Sequence, residues 1–75
     1  DDKWYFNFEQ VKKYVNEFGK LPTGSNKDDK IRYLGKWIGT QKRNYETKKQ
    51  IMKSNKKIYN DWKEFVEEYS ELFQK

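Results

Sequence analysis

Two stretches of this chain space large apolar side chains so that only a helix turns them into a continuous face. Trp4, Phe8, Val11, Val15 and Phe18 recur at intervals of four, three, four and three residues, which draws one stripe along a helix of 3.6 residues per turn. Ile58, Trp62, Phe65, Tyr69 and Leu72 repeat the same intervals. No segment alternates apolar and polar residues as a half-buried strand would. Helices of this length are marginal by themselves and persist by packing their apolar faces together. A 75-residue chain also buries a modest fraction of its surface, so each core side chain must be large. Three Trp, six Tyr and five Phe meet that need. The expectation is an all-α fold, a compact three-helix bundle forming a single domain over residues 1–75. Because the chain opens on Asp1 without Met, it reads as a piece of a longer polypeptide.

The expected helices span about residues 3–18, 30–46 and 55–73. Asp1 and Asp2 suit the start of the first, where carboxylates cap free N–H groups and oppose the macrodipole. Gly19 fits a left-handed stop, and Pro22 forbids continuation. Residues 19–29 have loop composition, with Leu21 expected to tuck inward, and Asp28 or Asp29 caps the second helix. The inward stripe of that helix is Ile31, Leu34, Ile38, Gln41 and Tyr45, with Trp37 on its shoulder. Gly35 and Gly39 are unusual there, since each disfavours a helix interior by about 0.8–1 kcal/mol relative to Ala. A close approach to the backbone is expected at both: helix packing at Gly35, and an outward-facing site open to a ligand at Gly39. Ile51 and Met52 are expected to plug one end. Ser54 is the preferred cap of the third helix, and an earlier start at a Thr47-x-x-Gln50 capping box is the competing reading.

Cysteine and histidine are both absent. That excludes disulfides, zinc sites of the usual ligands, thiol catalysis and imidazole acid–base chemistry. The paired carboxylates Glu64/Glu68 and Asp28/Asp29 lie on an exposed helix and a loop, without the burial that tunes a catalytic acid or base. Neither a Walker-type glycine loop nor a nucleophile elbow occurs. No catalytic residue, cofactor or metal is therefore expected. With no membrane-length apolar run and no signal-like segment, the expected setting is intracellular, away from membranes.

Charge is segregated along the chain. Residues 27 to 57 hold eleven of the seventeen basic residues against the three acids Asp28, Asp29 and Glu46. Removing the inward stripe of the second helix leaves Arg32, Lys36, Gly39, Thr40 and Arg43 on one line, with Lys42 to one side. Lys48, Lys49 and Lys53 follow, and Lys56 and Lys57 stand in the first turn of the third helix. There, free N–H groups and two cations make an anion-attracting end. Glu64, Glu67, Glu68 and Glu71 crowd toward the other end. Such a stripe is the footprint of a surface that meets phosphates. Against it stands the plainer reading, ordinary solvated charges, some pairing with the glutamates. The Lys- and Asn-rich composition is also what an AT-rich genome encodes. Phe6 faces away from the first apolar stripe and, with Tyr5 and Tyr33, is a candidate for stacking on a base or for covering a neighbouring surface.

The run Leu34-Gly35-Lys36-Trp37-Ile38-Gly39-Thr40-Gln41-Lys42-Arg43-Asn44-Tyr45 resembles the leucine–glycine–x–tryptophan, glutamine–x–arginine and tyrosine pattern of the helicase-associated domain. The series Trp4, Phe8, Val11, Tyr14, Gly19 and Pro22 is similar to the family's first part. Trp62-Lys63-Glu64-Phe65-Val66, with Tyr69 and Phe73, resembles its variants in large DNA viruses. The chain departs from the family where Phe18 replaces a frequent His, and where Lys48-Lys49-Gln50-Ile51 replaces a glycine–lysine–leucine turn. The resemblance implies a short three-helix accessory module, often in tandem, beside a helicase motor domain in the same chain or complex. It makes Leu34, Trp37 and Tyr45 structural, and leaves Gln41 and Arg43 as either a polar clasp or contact residues. The expected function is nucleic-acid binding, DNA rather than RNA, by a monomeric module of low sequence specificity. The expected contacts are Arg32, Lys36, Thr40, Lys42, Arg43, Lys48, Lys49, Lys56 and Lys57. The alternative is a protein-interaction or spacer module that docks on a helicase core.

Overall fold

A computed structural model describes residues 2–73. They are helical without strands: α1 (Asp2–Phe18), α2 (Asp29–Thr47), α3 (Ile51–Ser54), α4 (Lys56–Glu68) and α5 (Ser70–Phe73). The chain divides into two compact units, Asp1–Gly39 and Thr40–Lys75, and α2 contributes to both.

In the first unit α1 ends where glycine is needed. Gly19 adopts φ 70°, and its N–H donates to the Val15 carbonyl at 2.8 Å, a left-handed cap. Asp2 stands in the first turn of α1, and Asp1 lies outside the described residues. Trp4, Phe8, Val11 and Val15 are buried, as are Leu34 and Ile38 of α2. Trp4 organises an aromatic cluster, with ring centroids 4.8 Å from Phe8, 5.1 Å from Tyr5 and 5.4 Å from Trp37. Phe18 corrects the expected stripe. It is 56% exposed and lies 4.6 Å from the Tyr14 ring, because the last turn of α1 extends past the buried face. A fifth buried position on α1 was not foreseen. Asn7 sits three residues after Trp4 and four before Val11, so it shares their side of the helix, and its Nδ2 donates to the Tyr33 hydroxyl at 3.2 Å.

The 19–28 segment is strapped to the start of α2. Asp28 Oδ1 accepts from the backbone N–H of Lys30 at 2.9 Å and of Ile31 at 3.3 Å, the expected cap. Pro22 is buried and Leu21 half-buried. Gly35 explains itself against this segment rather than against another helix. A Cβ there would collide with the Thr23 carbonyl carbon and the Gly24 nitrogen, whereas one at Gly39 would meet nothing within 4 Å.

In the second unit the expected single helix over 55–73 starts one residue later than expected and is broken once. Ser54 is not its cap but the last residue of α3, and Asn55 in extended conformation caps α4, its side chain accepting from Ile58 N–H at 3.0 Å. The competing Thr47–Gln50 box does not form either. The Thr47 hydroxyl donates back to the Arg43 carbonyl at 2.9 Å, and Gln50 takes φ 56°. The break falls at Tyr69 (φ −112°, ψ 35°). It brings the Phe73 ring 6.0 Å from Trp62 and 5.9 Å from Phe65. In an unbroken helix Phe73 would stand about 12 Å along the axis from Phe65. Met52, Ile58, Trp62 and Phe65 are buried, the first as the expected plug residue. Tyr45 and Tyr59 stack at 4.9 Å, and burial, then the neighbouring Tyr59, hold the Tyr45 phenol above its ordinary pKa.

Candidate nucleic-acid interface

The cations expected to act together differ in what they already hold. In the first unit Arg32 is half-buried. Its Nη1 donates to the Asn26 carbonyl at 3.2 Å, and its Nη2 pairs with the Asp29 carboxylate. This guanidinium fastens the 19–28 segment to α2. Lys36 is exposed, and its stem runs beside Gly24, where an added Cβ would lie 3.3 Å from Lys36 Cγ. Its ammonium makes no ion pair among the described residues.

The second unit carries most of the candidates. Thr40, Lys42 and Arg43 are exposed on α2, and Lys48 and Lys49 are exposed directly after it. Gln41 in their midst is 5% exposed, so of the two residues left open by the motif, Gln41 belongs to the interior and Arg43 to the surface. Among the described residues, Lys48 and Gln50 are the non-glycine residues at positive φ, 54° and 56°, and the Lys49 N–H between them donates to the Asn44 carbonyl at 3.0 Å. This turn holds Lys48, next to Lys49, in a conformation that ordinarily favours glycine. Lys56 and Lys57 are exposed in the first turn of α4. Lys57 pairs with Asp61 one turn on at 3.2 Å. Like Lys36, Lys42, Arg43, Lys48, Lys49 and Lys56 make no ion pair among the described residues.

Chemically these groups are donors and fixed positive charges, suited to phosphate oxygens and not to bond making. Among the described residues no group of three His, Cys, Asp or Glu side chains is placed to hold a metal ion. No helix among them is long and apolar enough to cross a membrane. Sequence reasoning missed Asn7, which lines two hollows in the first unit together with Tyr33. Its signal was positional, a polar residue at a core spacing of the first helix.

Neither the curated proteins nor the solved structures include a match to this chain. Residues 1–62 match the profile of the family described as helicase associated domain. The match takes in α1, all of α2 and the Leu34–Tyr45 run, and stops at Trp62, ahead of Phe65, Tyr69 and Phe73. Spanning most of the chain, it establishes that this protein belongs to the helicase-associated domain family, as an accessory module of helicases.

Proposed function

We propose that the module adds nucleic-acid affinity to a helicase by gripping phosphates, with DNA preferred over RNA. The observation that carries this reading is the set of exposed cations Lys36, Lys42, Arg43, Lys48, Lys49 and Lys56, none of them in an ion pair among the described residues. The described residues do contain ion pairs, Lys12 with Glu9, Arg32 with Asp29 and Lys57 with Asp61. Acidic partners are thus at hand in the chain, and the six cations stand apart from them. Thr40 and Lys57 complete the contact, the latter by exchanging Asp61 for a phosphate. Arg32 contributes by holding the 19–28 segment and by its half-exposed charge.

Such contacts fix position without reading bases, so sequence specificity is low and salt dependence steep. The motor domain lies in the same chain or complex, inside the cell or virion where nucleic acid is met, and the module acts as a monomer. Copies in tandem gain through effective concentration what each lacks in affinity.

Titration of labelled single- and double-stranded DNA and RNA at 50 and 200 mM salt tests the reading. About four phosphate contacts lower affinity by about a hundredfold across that range. The double variant Lys36→Glu with Arg43→Glu weakens binding at least about tenfold at the lower salt. Absence of binding at 50 mM salt, or unchanged affinity in the double variant, would leave docking on the helicase core as the function.

A further inference from the structure

We propose that the first unit also holds an unpaired nucleobase, in the hollow that α1 and α2 form around Phe6 and Tyr33; the idea rests on the nucleic-acid reading above and extends it to single strands. The hollow measures about 370 Å³ and is lined by Phe6, Asn7, Gln10, Lys30, Tyr33 and Leu34, at the lower end of the roughly 300–1,000 Å³ typical of small-ligand sites. Phe6 is 64% exposed and Tyr33 50%. Both are large rings set against solvent, and neither stacks on another ring among the described residues.

The polar lining decides the occupant. Asn7 is 6% exposed, and its Nδ2 donates to the Tyr33 hydroxyl at 3.2 Å. That leaves the Tyr33 O–H as a donor and the Asn7 amide oxygen as an acceptor. Gln10 adds a second amide, and Lys30 an exposed cation in no ion pair among the described residues. Asp29 also lines the hollow, with its carboxylate paired to Arg32. An aliphatic side chain from a protein partner would use the rings and leave the amides without partners, which is costly once water is excluded. A nucleotide uses all three features: a π-face for the rings, an edge of donors and acceptors for the amides, and a phosphate for Lys30. Bases within a duplex keep their faces stacked, so the occupant is an unpaired one. A second hollow of about 240 Å³ shares Asn7 and Tyr33 and adds Lys3, Trp4 and Trp37. The neighbouring nucleotide along the strand therefore meets another cation and further rings.

Nuclear magnetic resonance on this chain, titrated with thymidine and adenosine monophosphates, reads the site directly. The Asn7 side-chain amide and Tyr33 ring signals are expected to move with either nucleotide. In parallel, Phe6→Ala, at a position exposed enough not to disturb folding, is expected to lower affinity for oligothymidylate by about fivefold to a hundredfold. Duplex affinity and its salt dependence stay unchanged. Stationary Asn7 and Tyr33 signals overturn the proposal, as does equal weakening on single strand and duplex. So does a shift of the Phe6 ring with protein concentration alone, which would seat a second copy there. Because mononucleotide shifts do not depend on Lys36 or Arg43, the Lys36→Glu with Arg43→Glu variant separates failure of the phosphate-gripping face from failure of the hollow.

Discussion

Gly35 and Gly39 sit one turn apart on α2, yet their surroundings are opposite. At Gly35 the Thr23–Gly24 backbone lies where a side chain would begin; at Gly39 there is open space. The same contrast runs through their neighbours. Arg32, beside the first, is bonded to the Asn26 carbonyl and the Asp29 carboxylate, whereas Lys42 and Arg43, beyond the second, are exposed and in no ion pair among the described residues. One helix thus uses a glycine and an arginine for assembly over its first turns, and a glycine and cations for the surface over its last. Residue type alone does not separate the two roles, because what approaches the helix from elsewhere in the chain assigns them.

The contrast is most sharply tested by adding one methyl at each glycine. Gly35→Ala is expected to destabilise by about 1–3 kcal/mol, since the 23–24 backbone must shift to admit it. Thermal unfolding would show this as a drop of about 4–8 °C per kcal/mol for a chain of this size. Truncating the clasp is next. Arg32→Ala should cost about 1 kcal/mol of stability, read by urea titration, through the lost bond to Asn26, with only the small contribution of an exposed ion pair besides. Arg43→Ala should leave the unfolding midpoint unchanged and weaken DNA binding instead. If the two arginines exchange these phenotypes, the division along α2 is wrong. Gly39→Ala is expected to act with the opposite sign to Gly35→Ala, raising stability by about 0.8–1 kcal/mol through helix propensity. The smallest effect is expected at Lys48, where φ is 54°. Lys48→Gly should raise stability by about 0.5 kcal/mol, the relief of a left-handed lysine being partly offset by the greater freedom of glycine when unfolded.

Much of this could be read from spacing. Trp4, Phe8, Val11 and Val15, and Ile58, Trp62 and Phe65, are buried where their intervals put them. Gly19 and Asp28 terminate and begin helices through local chemistry that any context would favour. The misreadings share one cause. Phe18 continues the interval of α1 and is exposed, because periodicity states which side of a helix a residue occupies and not whether anything lies opposite it. Ser54 and Asn55 are both competent caps, and the placement of the buried Met52 on one side and Ile58 on the other selected Asn55. No helix-breaking residue marks Tyr69; the break follows from the Phe73 ring reaching Trp62 and Phe65.

For the candidate site the division is similar. The concentration of cations between residues 27 and 57 is a property of the sequence, and no fold would remove it. Which of those cations stand without a partner is decided by the fold, because hydrogen bonds and ion pairs act over a few ångströms between groups that only the folded chain brings together. So Arg32 became part of the scaffold, Gln41 went inside and Arg43 stayed out. The hollow lined by Phe6, Asn7 and Tyr33 has the same origin. It joins residues some 26 positions apart in the chain, each ordinary in sequence, into a surface that exists only once α1 lies against the first turns of α2.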